Sequence, residues 1–305
     1  MQRILDNIIK DTRKWTIEGQ VASYIPELAK GDRDAVGICV TTLDGEEFFA
    51  GDYKTKFTIQ SISKVITLMV AICDNGKDYV FSKVGMEPTE QPFNSITNLE
   101  GHDRNIPLNP MINSGAIAIV SLINGNSPEE KFERILRFMK KITGNDTISV
   151  NEEVYKSEKA TGDRNRALAY FMKSTGVIEG DVEEVLDVYF RVCSIEVTCR
   201  DIARIGAVLA NAGVMPWNDE RVISREVSRI IKTIMVTCGM YDGSGKYAVH
   251  VGIPSKSGVG GGILGAVTRR MGIGVFGPSL DDHGNSIAGL KVLEALSKEF
   301  DLSIF

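Results

Sequence analysis

Ser61 and Lys64 stand three residues apart within Phe57–Cys73, FTIQSISKVITLMVAIC. On a helix that spacing puts both side chains on one face, with Cβ atoms roughly 5–6 Å apart. A serine hydroxyl is a weak nucleophile until a base takes its proton. A lysine serves as that base if its pKa falls from about 10.4 towards roughly 7–8, a shift of about 4 kcal/mol. Burial disfavours the ammonium, and the stretch from Ile62 onward is apolar nearly all round, as befits a helix at the centre of a domain. A helix N-terminus adds N–H groups that can hold a developing oxyanion. The motif is short, however. Taken alone, it favours the plainer reading, with Ser61 as an N-cap and Lys64 as a side chain reaching for solvent.

Other stretches bear on the choice. Lys256-Ser257-Gly258 is followed by Val259 and three glycines, Gly260 to Gly262. A Lys-Ser/Thr-Gly strand combined with Ser-x-x-Lys is the two-part signature of the serine penicillin-recognising enzymes. Glycines there let backbone approach a ligand, and the Val259 N–H is a candidate oxyanion donor beside that of Ser61. Gly260-x-Gly262-x-x-Gly265 also fits a dinucleotide fingerprint, but no alternation of strand and helix surrounds it. Asn113, in NPMINSG, is a candidate cleft amide or simply a polar helix start. Glu158 and Asn165 flank a predicted loop and suit a zwitterion: a carboxylate for an ammonium, an amide for a carboxylate. Asp163 between them reads as a cap and Arg164 as surface. Tyr189, in VYFRVCSIE, reads as a core aromatic. Tyr241, in CGMYDGSG, lies in a glycine-bearing loop, a better place for a working phenol.

The positioning elements follow from periodicity and punctuation. Short helices are expected near Ile4–Ile9 and over Glu18–Tyr24. Ala35–Thr42 and Glu46–Ala50 read as strands joined at Asp44-Gly45, and Phe57–Gln60 as a strand entering the central helix. Helices then follow one another to about residue 239. Ser127-Pro128-Glu129-Glu130 and Thr198-x-x-Asp201 are strong start signals. Strands return at Tyr247–Ile253, Gly262–Thr268 and Met271–Phe276, before a closing helix at about Ser286–Lys298. The chain is therefore expected to be one catalytic unit over 1–305. Its α/β lobe would span about 1–60 and 240–305, its helical lobe about 61–239, with Ser61 facing the cleft between them.

Composition narrows the function. The 305 residues are 43% hydrophobic and 25% charged, ordinary globular values, with net charge −5 and no basic block for nucleic acid. The N-terminus lacks a signal-peptide core, and no apolar run is long enough for a bilayer, so a cytoplasmic location is expected. Five cysteines without C-x-x-C pairing fit reduced thiols. His102, His250 and His283 lie far apart without metal-ligand spacing, so a structural or catalytic zinc is not expected.

With these residues assembled, the chain closely resembles the serine-dependent glutaminases of the glutaminase A type. The likeness runs through SYIPELA, IQSISKV, NPMINSGAI, SEKATGDRN, DVYFRVCSIEVTC, CGMYDGSG and HVGIPSKSGVGGGI. It implies an α+β, β-lactamase/DD-peptidase-like fold: an antiparallel sheet flanked by helices, plus a helical lobe. It also implies cofactor-free hydrolysis of L-glutamine to L-glutamate and ammonia, by a homodimer or homotetramer. By that resemblance Ser61 is the nucleophile and Lys64 activates it. The substrate contacts fall on Ser61, Asn113, Glu158, Asn165, Tyr189, Tyr241 and the backbone of Val259, with Tyr24 lining the site and Gln60 beside it. Glu158 would hold the substrate ammonium, and the asparagines with Tyr189 its carboxylate. The residues leave open whether Lys64 or Tyr241 is acid and base in each half-reaction. A β-lactamase or peptidase, or a silent amino-acid-binding protein, would use the same fold.

Overall fold

The computed structural model describes residues 1–89, 91–100 and 106–305. β1 (Gly37–Thr42) and β2 (Glu47–Gly51) form a hairpin on the Asp44-Gly45 turn, where Gly45 takes a φ of 82°. β3 (Phe57–Thr58) and β4 (Glu196–Val197) make a two-stranded pair that tethers the chain just before Ser61. β5 (Ser255–Ser257), β6 (Gly262–Val267) and β7 (Met271–Phe276) come from the end of the chain. Five of these strands form one antiparallel sheet ordered β2-β1-β7-β6-β5, so β1 lies against β7 and the two ends of the sequence meet in mid-sheet.

Each face of the sheet is covered. The first and last helices, Gln2–Thr12 and Ile287–Phe300, pack Leu5, Ile8, Val292 and Leu296 onto Ile38, Val40, Ile273 and Val275. Helix Cys199–Ala210, from the middle of the chain, lies on the other face. The alternate glycines of MGIGVF let it come that close. A Cβ on Gly272 would sit 2.0 Å from both Ala203 O and Ala207 N, and one on Gly206 would sit 2.2 Å from Gly265 O. This is backbone-to-backbone packing that no side chain survives.

The central helix, Ser63–Asn75, is buried from Ser63 to Ile72. It packs with Asn113–Ser121, Pro128–Thr143 and Val182–Cys193 through Leu68, Met69, Ile117, Ile119 and Leu186. The predicted starts are realised in detail. Ser127 accepts from the Glu130 N–H with Pro128 at the first helical position, and Thr198 with Asp201 closes a full capping box. Among the described residues no helix is long and apolar enough to cross a membrane.

Several expectations need correction. Tyr247–Ile253 is not a strand: Ser244–His250 is helical, and the strand begins only at Ser255. The Ser244 hydroxyl takes the Met240 N–H and starts that helix straight after the Tyr241 turn, and Tyr247 is turned inward to pair with Ser255 Oγ at 2.7 Å. Glu18–Tyr24 is not a helix either. A 3-10 turn ends at Glu18, and Gln20 is then pinned in a bridge to Leu280. Gly19 lies so close to that segment that a Cβ would meet Leu280 O at 2.5 Å. Ser157 and Glu158 lie within a helix, Glu152–Ala160, and Gly162 rather than Asp163 is the cap of the next one.

Candidate active site

Ser61 sits in a 3-10 turn, Gln60–Ile62, that runs directly into the central helix. Gln60 before it has a φ of +46°, a left-handed conformation that a glutamine adopts only when its surroundings impose it. They do so from two sides. The β3–β4 pair and the Ile59 N–H to Ile195 O bond, 2.8 Å, hold the approach. The glycine-rich turn nests against it: a Cβ on Gly258 would lie 2.8 Å from Ile59 O, and one on Gly260 2.4 Å from Thr58 O. The backbone of Gly258 and Val259 thereby comes beside the backbone N–H of Ser61.

Lys64 is 1% exposed. Its Nζ donates to Asn113 Oδ1 at 2.7 Å and to Met111 O at 3.3 Å. Burial lowers its pKa to about 8, partly offset by Cys193 and Glu158. The Ser61 side chain has the Tyr241 hydroxyl as its hydrogen-bond partner. That hydroxyl also receives the Val259 N–H and donates to Ser257 O at 3.3 Å. Burial pushes the phenol's pKa up, so Tyr241 keeps its proton. Tyr241 itself has a φ of +55°.

A small cavity opens above Ser61. Tyr24, Gln60, Asn113, Glu158, Asn165 and Tyr189 line it, together with Phe93 and Cys193. Both ends of the Asn113 amide are already used: Oδ1 accepts from Lys64, and Nδ2 donates to Asn165 Oδ1 at 2.9 Å. The Asn165 amide is thereby turned with its NH₂ available to an incoming acceptor. Opposite it, Glu158 is buried, and desolvation raises its carboxyl pKa to about 8, against the pull of Gln60 at 3.4 Å, Cys193 and Lys64. An acid held this way gains from a cationic guest. Tyr189 is buried with its hydroxyl on Cys193, and burial raises its pKa. Tyr24 is 56% exposed as a residue, yet its hydroxyl feels Tyr241 and Glu158, so its polar end reaches inward. Wider cavities exist, one of about 720 Å³ between Tyr79, Lys131 and Glu184. Among the described residues, though, nucleophile, carboxylate and amide meet in the small one. No group of three or more His, Cys, Asp or Glu among those residues is placed to hold a metal; His102 lies outside them.

The chain matches the family model described as Glutaminase over residues 19–305. The chain belongs to the glutaminase family. Curated relatives include a glutaminase 2 of Clostridium perfringens, 66% identical, and a glutaminase of Clostridium botulinum, 65% identical, each covering all of both chains. Among solved structures, one is the covalent complex between a Bacillus subtilis glutaminase and 5-oxo-L-norleucine, formed by reaction with 6-diazo-5-oxo-L-norleucine. It is 42% identical, with a TM-score of 0.92, covering 100% of this chain and 99% of that one. The fold is α+β and β-lactamase-like, as in these glutaminases.

Of the residues expected at the site, Ser61, Tyr24, Gln60, Asn113, Glu158, Asn165 and Tyr189 line this cavity, while Lys64, Tyr241 and Val259 do not line it and reach it through bonds to Asn113, to Ser61 and, for Val259, to Tyr241. Three groups beside it carried no assigned role. Lys256 is fully buried, its Nζ 4.4 Å from the Tyr241 ring centroid and bonded to Ser257 O at 2.6 Å. Burial, and then the neighbouring Lys64, hold its pKa well below the usual lysine value. Phe93 packs on Tyr241 with centroids 4.9 Å apart. Cys193 touches both Glu158 and Tyr189. Lys256 had a signal, the Lys-Ser-Gly motif; Phe93 and Cys193 are ordinary apolar positions with none.

Proposed function

We propose that the protein hydrolyses L-glutamine to L-glutamate and ammonia through an ester on Ser61. The observation that carries this reading is the meeting of Ser61, Glu158 and Asn165 on one small cavity, over a buried lysine. Glu158 takes the substrate ammonium, and Asn165 with Tyr189 takes the α-carboxylate. That leaves the side-chain amide at Ser61. Lys64, with a pKa of about 8, is neutral often enough to accept the Ser61 proton. Tyr241, kept protonated by burial, gives its own proton to the departing nitrogen and is restored from Lys64. The N–H groups of Ser61 and Val259 hold the oxyanion, the latter turning to it from the Tyr241 hydroxyl, each worth about 10²–10³ in turnover. Water then cleaves the ester by the reverse proton route.

The Bacillus subtilis adduct with a glutamine-like diazoketone supports a covalent route. The test is mass spectrometry after 6-diazo-5-oxo-L-norleucine: one adduct, on the peptide carrying Ser61, is expected. An adduct elsewhere, or nitrocefin turnover without ammonia from glutamine, overturns the assignment. We further infer one catalytic unit, its sheet lobe and helical lobe closing on the cleft, working in the cytoplasm as a homodimer or homotetramer. Free thiols at all five cysteines are in keeping with that compartment. Light scattering on the purified chain checks the assembly.

A further inference from the structure

The segment 280–285 lies against the turn that carries Tyr241. It is braced from within: the Asp281 N–H donates to Asn285 O at 2.8 Å, the Gly284 N–H to Asp281 O at 3.0 Å, and Asp281 Oδ1 takes the N–H groups of His283 and Asn285 at 3.0 and 2.9 Å. Its start is fixed as well, by the bridge between Leu280 and Gln20. This braced loop meets three successive residues of the turn. Asn285 Nδ2 donates to Met240 O at 3.4 Å. Gly284 faces Tyr241: a Cβ there would lie 3.6 Å from the ring and 3.3 Å from Val259 Cγ1. His283 Nδ1 stands 2.9 Å from Asp242 Oδ2, and since a carboxylate oxygen only accepts, Nδ1 donates.

Of those contacts the His283–Asp242 bond is the shortest, and it falls one residue beyond the strained one. Tyr241 keeps a φ of +55°, which a bulky side chain holds only where its surroundings impose it. Bonds inside the turn, from the Gly243 N–H to Met240 O at 3.1 Å and from Ser244 Oγ to Tyr241 O at 2.8 Å, shape it locally but do not set where it stands. The phenol needs that placing, because its hydroxyl must meet the Ser61 side chain from a distant part of the chain. On an ordinary surface a partly exposed pair of this kind adds little. Next to a strained residue of the candidate active site, it decides a position. We propose that His283 is a positioning residue for the hydrolysis, acting through Asp242 to hold Tyr241 against Ser61, a role that rests on Tyr241 being the proton donor described above. Without the bond, the turn relaxes for part of the time to ordinary backbone and the phenol leaves Ser61. Glu158 and Asn165, which take the two ends of the amino acid, are untouched.

The test is steady-state ammonia release together with amide hydrogen exchange on the intact protein. His283→Ala should lower kcat for glutamine about tenfold and leave KM within about twofold. Asp242→Ala should do the same, and the double variant should be no worse than either single one, since all three remove one bond. His283→Asn, whose Nδ2 takes the place of the imidazole Nδ1, should bring kcat back to within about threefold of the original. In the unliganded His283→Ala protein the Gly243 amide should exchange about tenfold faster, with the amides of β7 unchanged. His283→Phe, which keeps the ring and drops the N–H, carries the same expectations if the alanine variant does not fold. An unaltered kcat, a loss that falls on KM instead, additive losses in the double variant, no recovery with asparagine, or Gly243 exchange that stays the same or rises only together with β7 would each overturn the proposal. The exchange measurement needs no glutamine, so it tests the bond even if the hydrolysis assignment falls. Ammonia release and the Ser61 adduct in the unsubstituted protein test that assignment without reference to His283.

Discussion

The sheet beneath helix Cys199–Ala210 and the cleft around Ser61 are neighbours built on opposite rules. In the first, Gly206, Gly272 and Gly274 bring backbone against backbone, and β6 and β7 are buried along their whole length. The charges that its helix carries all have partners: Arg200 and Arg204 bind Glu47, and Asp201 caps the helix. In the second, two lysines and a glutamate are buried, and Gln60 and Tyr241 hold left-handed backbone without being glycine. Burying such groups costs free energy that apolar residues of the same size would not. The contrast teaches that the sheet supplies the rigidity against which the cleft is held in its unfavourable state.

The sharpest way to separate the regions is to remove chemistry without touching packing. Ser61→Ala should lower ammonia release by about 10⁴-fold or more, with the unfolding midpoint unchanged. Retained activity would remove Ser61 from the nucleophile's role. The converse is Gly272→Ala, where the new methyl would meet backbone at 2.0 Å. A loss of about 3 kcal/mol or more in denaturant unfolding is expected. A near-neutral result would mean that the helix shifts freely and the sheet is not the rigid partner.

Smaller effects test the cost of the cleft. Glu158→Gln should raise KM for glutamine by about tenfold to a hundredfold, with a lesser change in kcat, because it removes the ammonium's counter-charge. An unaltered KM would move the ammonium elsewhere. The smallest effect is on stability against pH. Glu158 binds its proton up to about pH 8 in the folded chain but only to its usual 4.5 when unfolded, so its contribution falls as pH rises through that window. Lys64 gives up its proton near 8 when folded and near 10.5 when unfolded, so its contribution grows as pH rises from 8 to 10.5. Together they put a minimum near pH 8. The Lys64→Met, Glu158→Gln double variant should flatten it, by several °C in Tm. A dip of the same depth in that variant would assign it to other groups.

Much of this was legible in the residues, and what was not has a physical reason. The helix caps at Ser127, Thr198 and Ser286 act locally, and each is where its side chain predicts. Lys64 was legible because an apolar helix leaves an amine nowhere to go. Glu158 was harder to place. Its helix has two buried residues, Val154 and Glu158, so a carboxylate occupies the inward position where periodicity looks for an apolar side chain. Tyr24 depends on Gly19 and Gln20 docking on Leu280, a contact between distant parts of the chain that no local pattern records. The helix at Ser244–His250 likewise follows from the Tyr241 turn ahead of it, while its own residues lean towards a strand.

The pairing of β1 with β7 has a consequence for biosynthesis. A ribosome delivers the early hairpin and Ser61 first, and the strand that completes the middle of the sheet near the end of translation. Until then one edge of β1 is open, and Tyr241, Lys256 and the backbone of Val259 have not been made or have nothing to dock on. A nascent chain therefore carries its serine without the means to use it, and an exposed edge of this kind is what chaperones shield.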